Sequence, residues 1–245
     1  MLENWPADLF VLIPAYKSVG PLEKFLTHLL KTVPKEKIAI VDDASFDGTD
    51  KLCKQLELDY QAHLINKGKG AALVTGFSHL INTKKARWIL TMDADGQHSP
   101  SDIQKFLDEA VRQPKMGLCI GARAMKLGIM PPARICSNRL TSGFLSLLSG
   151  QRILDSQCGY RLYSAELINS ISIEYSRFEM ESEVILKAAK LHFQVRFVPV
   201  QTLYLSGPSH ISHLLDTLRW IRAVLRIWLK LKSNRIQPLT TEKPH

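Results

Sequence analysis

The chain has 245 residues, 45% of them apolar and 22% charged, so it can bury a sizeable core and is not disordered as a whole. Its formal net charge of +9 implies an anionic partner: nucleic acid, an anionic membrane surface or a phosphate-bearing substrate. Cys53, Cys119, Cys136 and Cys158 are far apart and form no CxxC pair, so neither a disulfide framework nor a zinc site is expected, and the thiols read as reduced in a cytosolic protein.

In chain order, residues 1–8 carry Glu3 and Asp8 without a basic start before an apolar run, which does not read as a signal peptide. No stretch of about 18 uncharged apolar residues offers a membrane span. Residues 10–13, 37–41, 88–92 and 117–121 are short runs apolar on both faces, the pattern of buried parallel strands. Between them helices are expected over 22–30 with Pro21 in the first turn, from Thr49 with Asp47 or Thr49 as cap, over 70–81, and from Ser99 to Val111. This alternation predicts an α/β fold, a three-layer α/β/α sandwich around a mostly parallel sheet. Ligands of such sheets gather beyond the carboxyl ends of the strands, where Pro14, Asp43, Asp93 and Arg123 fall. Residues 124–165 are less regular, with Gly128, Pro131, Pro132, Gly143, Gly150 and Gly159. Helix resumes from Leu167 and is clear over 181–190, 193–198 reads as a strand, and a last helix is expected over 211–232 before a loose polar tail.

The acidic turn Asp93-Ala94-Asp95-Gly96-Gln97-His98 follows a buried strand. In an extended backbone Asp93, Asp95 and Gln97 share parity and point the same way. Hard cations such as Mg²⁺ take one or two carboxylates and complete their shell with substrate phosphates. The plainer reading is a solvated turn capping the next helix, which leaves unexplained why two carboxylates directly follow a buried strand. A second acidic group, 41–49, offers carboxylates to a ribose or base, with Asp47 and Thr49 equally suited to helix capping. Gly68-Lys69-Gly70 is not a phosphate loop: Leu73 stands where GxGxxG needs glycine, and no GKS or GKT occurs.

Pro14-Ala15-Tyr16, the 41–49 stretch, Asn66 to Ala72 and Asp93 to His98 follow one another in an order that resembles the family 2 inverting glycosyltransferases of GT-A fold. The dolichol- or polyprenyl-phosphate sugar synthases and their bacterial relatives are the nearest subgroup. The resemblance continues through Gly121-Ala122-Arg123, Asp155 to Arg161 and 178–189, and covers about residues 8–205. It implies a Rossmann-like GT-A domain over 1–208, with 8–123 as the nucleotide-sugar half and 124–208 as the acceptor half, followed by a basic amphipathic helix and tail over 209–245. Pro14, Ala15, Tyr16 and Asp43 would hold the nucleotide. Lys69, Asp93, Ala94, Asp95, Arg123 and Arg134 would complete the nucleotide-sugar site. Asp93, Asp95 and Gln97 would bind Mg²⁺ or Mn²⁺. Arg123, Arg134 and Arg161 resemble basic residues that face phosphates. For a hydroxyl acceptor the base would be Asp155 or a glutamate of 178–184, represented by Glu181; the implied catalytic set is Asp155, Glu181 and Arg161. Lys17 departs from the family's usual Asn or Glu, and the transmembrane pair of some relatives is missing. His210 reads as a loop histidine or a further metal ligand.

In the last helix Leu214, Leu218, Ile221, Leu225 and Trp228 recur at helical spacing, with Arg219, Arg222, Arg226 and Lys230 on another face. Such a helix anchors at an anionic membrane surface or docks on its own domain with a solvated basic face. No nucleic-acid reading module is recognisable. The expected function is transfer of a hexose from a nucleoside diphosphate sugar, with inversion, to a lipid-linked or other membrane-proximal acceptor, in a cytoplasmic protein peripheral on the inner face of the membrane. The alternatives are a nucleotidyltransferase of similar α/β fold and a non-catalytic peripheral membrane-binding module.

Overall fold

The computed structural model describes residues 5–113, 115–127, 130–201 and 213–233, the last segment with side chains from Arg219 onward. The elements are β1 (Leu9–Ala15), α1 (Val19–Leu29), β2 (Ile38–Asp42), α2 (Thr49–Gln55), β3 (Asp59–Ala62), α3 (Lys69–Lys84), β4 (Trp88–Thr91), α4 (Ile103–Arg112), β5 (Met116–Arg123), α5 (Pro132–Ser149), β6 (Arg161–Ser164), α6 (Ala165–Ser170), α7 (Glu179–Lys190), β7 (Gln194–Val200) and α8 (His213–Ser233). The four apolar runs became β1, β2, β4 and β5. Val11, Leu12 and Ile13 are wholly buried, as a central strand covered on both faces demands.

The seven strands form one sheet in the order β3-β2-β1-β4-β6-β5-β7. Helices flank it as a three-layer α/β/α sandwich: α3 packs on β1 and β2 and adjoins α6 and α7, α1 touches α2, and α4 lies against β5 and β7. All pairings are parallel except those of β6, which runs against β4 and β5 on either side. The segments expected as the donor and acceptor halves of one domain share a sheet, with β6 of the second inserted between two strands of the first.

Three elements depart from the sequence expectation. The irregular 124–165 region contains the 18-residue α5, started by Pro132 and stopped by Gly150 at φ +69°. Its buried face is half polar, Asn138, Thr141 and Ser142 beside Ile135 and Leu145, so apolar periodicity hides it. The short strands β3 and β6 were also missed: the first carries Asp59 and Gln61, the second begins with Arg161. The four cysteines are free, with Cys53, Cys119 and Cys158 buried and Cys136 exposed on α5.

The last helix docks on the domain. Val224 and Ile227 of α8 are buried, Trp220 Nε1 donates to Ser182 Oγ on α7 at 2.9 Å, and Lys230 pairs with Glu174 at 2.6 Å. The docked stripe is thus Trp220, Val224, Ile227 and Leu231, which corrects the expected register. Leu225 is exposed, and Trp228 packs inward with Lys232 Nζ 4.1 Å from its ring centroid. The side chains of Leu214 and Leu218, together with Gly128 and His210, lie outside the described residues. Among the described residues no helix is long and apolar enough to cross a membrane.

Val224→Asp would place a carboxylate at the fully buried centre of this contact. The expected result is a loss of about 3 kcal/mol or more in urea unfolding, with faster amide exchange confined to α8; unchanged exchange in α8 would contradict the docking.

Candidate active site

Parallel strands β1, β2, β4 and β5 present their carboxyl ends at one edge of the sheet. Because β6 runs the other way, its amino end and the preceding 155–160 loop arrive at that same edge.

The chain leaves β4 with Met92 N–H donating to Leu12 O at 3.1 Å and turns at once, Gly96 taking φ +73°. The acidic segment is therefore a tight turn and not the extended backbone on which shared parity was argued. Asp93 points inward, its Oδ1 2.7 Å from Lys69 Nζ, while its N–H donates to His98 Nδ1 at 3.1 Å. Asp95 is exposed and accepts from the Gln97 N–H at 3.0 Å, Ala94 is buried, and Gln97 is half-buried. His98 stacks on Tyr160 with centroids 4.9 Å apart, and Tyr160 meets Phe106 at 4.5 Å, which fastens the turn to the core.

Burial opposes charge on Asp93, but the Lys69 ammonium, with help from His98 and Arg123, pulls its carboxyl down to about 2. Burial likewise works against Lys69, and Asp93 and Glu181 overcome it to raise the ammonium's pKa. Withdrawal from water and the neighbouring Asp93 charge raise Asp95 instead. Burial lowers His98.

Lys69 is the first residue of α3 and also lies 3.0 Å from Glu181 Oε1. Space for this cluster comes from Gly159, where a Cβ would sit 2.8 Å from both Lys69 Nζ and Asp93 Oδ1. A side chain at this position of the 155–161 segment would force the Lys69–Asp93 pair to shift. Of the glutamates in 178–184, Glu181 faces this cluster. Glu183 is fully buried, accepting from the Glu174 and Tyr175 N–H groups and pairing with Lys187 at 2.6 Å, and Glu179 is half-buried at the start of α7.

Four of the expected site residues are engaged by partners within the protein. Asp43, expected to hold a nucleotide, is only 2% exposed and accepts from Lys67 N–H at 2.8 Å and Gly68 N–H at 2.7 Å, with His63 Nδ1 at 2.7 Å. It anchors the loop leading into Lys69; burial opposes its charge, and the Lys67 N–H and His63 prevail, lowering its pKa. Asp155, the candidate base, is fully buried. Arg123 Nε donates to its Oδ2 at 2.8 Å, and Arg123 Nη2 and Asn138 Nδ2 donate to its Oδ1 at 3.0 and 2.6 Å. These donors overcome burial and hold the carboxyl below its ordinary range. For the same reason Arg123, expected to face phosphates, spends its fork on Asp155. Arg161, expected at a phosphate, is fully buried and donates to the carbonyls of Cys158, Ser156 and Glu181 at 2.7, 2.7 and 3.0 Å, so it shapes the 156–160 loop.

The remaining candidates lie at the end of β1, just after it, and in the first turn of α5. Pro14 is half-buried, Ala15 buried and Tyr16 47% exposed, with Lys17 Nζ 5.3 Å from the Tyr16 ring centroid. Arg134 is half-buried in the first turn of α5. Sequence reasoning missed Asn138, Ser142, Ser156 and Gly159; the polar i, i+4 pair Asn138 and Ser142 on one face of α5 was the available signal.

The donor set suits a hard divalent cation. Two carboxylates lie two residues apart; burial, and then the charge of the first, raises the second, and a bound cation would relieve that repulsion. Among the described residues no group of three or more His, Cys, Asp or Glu gathers there, so phosphate oxygens would complete the shell.

Comparison with known proteins bears on the whole edge. An uncharacterized protein of Methanocaldococcus jannaschii is 33% identical over 205 residues, covering 80% of this chain and 82% of its own. UDP-N-acetylglucosamine–dolichyl-phosphate N-acetylglucosaminyltransferase of Methanococcus voltae is 29% identical over 221 residues, covering 80% and 86%. Among solved structures, glucosyl-3-phosphoglycerate synthase from Mycobacterium tuberculosis, crystallised with Mn²⁺, UDP and glucosyl-3-phosphoglycerate, shares the fold with a TM-score of 0.70. It is 16% identical, and the match covers 92% of this chain and 80% of that one. The family model for glycosyl transferase family 2 matches residues 10–171, more than half of the chain. With the GT-A architecture on the sheet and this match along it, the chain belongs to glycosyl transferase family 2.

Proposed function

We propose that the protein transfers a hexosyl group from a nucleoside diphosphate sugar, with inversion, to a polyprenyl-phosphate or similar lipid-linked acceptor at a membrane surface. The observation that carries this reading is the pairing of an exposed Asp95 with an inward Asp93 held by Lys69 at the carboxyl edge of the sheet. Pro14, Ala15 and Tyr16 would cradle the nucleotide. Asp93 and Asp95, flanked by Gln97, would hold Mg²⁺ or Mn²⁺, and buried Ala94 keeps the turn between them small. The metal supplies neutralisation of the charge that develops on the departing diphosphate. Lys69 would be the protein's own cation beside it, and Arg134 would meet an acceptor phosphate.

In the transfer, an acceptor phosphate oxygen attacks the anomeric carbon from the face opposite the diphosphate. The new C–O bond forms as the old one breaks, and the nucleoside diphosphate leaves with the bonding electrons. An ionised phosphate needs no proton removed, which agrees with Asp155 and Glu181 being held in ion pairs. The dolichyl-phosphate enzyme of Methanococcus voltae supports this acceptor class.

For the membrane surface, α8 exposes Arg222, Leu225, Arg226 and Leu229 away from its docked stripe. Phe144 and Trp220, with centroids 6.1 Å apart, join it to α5, which exposes Leu140 and Leu147. Exposed leucines among arginines suit an anionic interface.

Asp95→Ala should lower Mn²⁺-dependent release of nucleoside diphosphate from a panel of UDP- and GDP-sugars by about 10²-fold or more. Undiminished turnover would remove the acidic turn from the chemistry, and release of pyrophosphate would favour the nucleotidyltransferase. Arg222→Gln combined with Arg226→Gln should weaken binding to anionic vesicles by roughly 10- to 30-fold, at about 1 kcal/mol per residue, and leave neutral vesicles unaffected.

Asp155→Asn tests the ion-pair role against the base role. Its folded-state pKa is depressed, so its stabilisation is complete above the ordinary carboxylate range and is lost as pH falls through that range towards the folded value. The variant should be about 3 kcal/mol or more less stable than the parent near pH 7, with the gap closing under acid in thermal unfolding. A gap independent of pH would contradict the pairing.

A further inference from the structure

Lys69 Nζ lies 2.7 Å from Asp93 Oδ1 and 3.0 Å from Glu181 Oε1, and only a fifth of the side chain is exposed. This position is enforced from several sides. Asp43 grips the N–H groups of Lys67 and Gly68 and so fixes where α3 begins. Gly70 abuts the backbone ahead of α7, where a Cβ would lie 2.7 Å from Arg177 O, and Ala71 N–H donates to Ser176 O at 2.9 Å. Glu181 is held 3.5 Å from Arg161 Nη2, and the Arg161 guanidinium also donates to the Glu181 carbonyl and to the loop carbonyls of Ser156 and Cys158. On the other side stands Gly159, where a Cβ would lie 2.8 Å from the ammonium. The ammonium thus occupies an Asp93 oxygen that a divalent cation would need.

We propose that Lys69 is an internal cation lock on Asp93, positioned by Glu181, that makes loading of the divalent cation depend on arrival of the donor's diphosphate. The proposal rests on the reading of Asp93 and Asp95 as the metal-holding pair. With Lys69 in place, an approaching Mg²⁺ or Mn²⁺ meets a like charge within contact distance of its ligand, in a partly dehydrated setting where such repulsion is strong. A diphosphate offers the ammonium another anionic partner. The flexible four-carbon stem lets it transfer without moving α3, which frees the Asp93 oxygen. Metal and nucleotide affinities are then coupled, each raising the other by the same factor. Glu181 is here a positioning residue, acting through Lys69.

The test is titration of the full chain with Mn²⁺ alone, followed by electron paramagnetic resonance, and again in the presence of UDP or GDP, whichever the donor panel selects. Lys69→Met should bind Mn²⁺ alone at least about tenfold more tightly than the parent. Lys69→Arg, which keeps the charge, should stay near the parent, and Glu181→Gln should fall between. The nucleotide should tighten Mn²⁺ binding in the parent by a larger factor than in Lys69→Met. Equal or weaker Mn²⁺ binding by Lys69→Met, or equal tightening in both proteins, overturns the lock and leaves the metal site standing. Absence of Mn²⁺ binding in every protein, with nucleotide present, overturns the metal site and the lock together.

Discussion

Hydrogen bonding of β6 between β4 and β5, in the direction opposite to both, brings the 155–160 loop to the edge where the parallel strands end. Run parallel, β6 would deliver that loop to the far side of the sheet, and Gly159 could not stand against Asp93 and Lys69. Arg161, the first residue of β6, begins the work of holding the loop: its buried guanidinium collects the carbonyls of Ser156, Cys158 and Glu181. The same strand therefore ties the acidic turn, the head of α7 and the Asp155 pair into one rigid assembly.

Buried charge at this edge is balanced in two neighbouring groups, with Arg161 beside Glu181 in the second. Arg123 and Asp155 neutralise each other with Asn138 from α5, whereas Lys69 shares Asp93 and Glu181. Burial penalises every member, and each pair survives because geometry and additional donors compensate. Asp95 alone of the acidic turn is left on the surface with a raised pKa. The fold thus keeps one carboxylate fixed and one available.

The apolar strands and the acidic turn were legible because their signals are local: continuous apolar runs, and carboxylates directly after one of them. The ordered motifs carried the family and the fold. What stayed hidden depends on partners distant in sequence. Asp43 and Asp155 look like ligand groups until His63, Lys67, Gly68, Arg123 and Asn138 are seen to consume them. Helix α5 escaped because its inner face buries Asn138 and Ser142 to hold Asp155 and Ser156, which polarity patterns read as solvent-facing. The backbone of the acidic segment is a turn and not a strand end because Gly96 turns the chain at once. On α8 the alternative stripes differ by a rotation of the helix, and only the packing of Val224 and Ile227 against the domain chooses between them.

The placement of the cysteines gives the protein one chemically addressable point among the described residues. Cys53 and Cys158 are buried, and burial raises their thiols to about 12, while Cys119 is buried and raised as well. All three are therefore almost wholly protonated at neutral pH and shielded from reagents. Cys136 is exposed one turn before Leu140 on α5. A maleimide or a nitroxide spin label would attach there selectively, and paramagnetic relaxation from that position would report how deeply this helix enters a bilayer without any engineered residue.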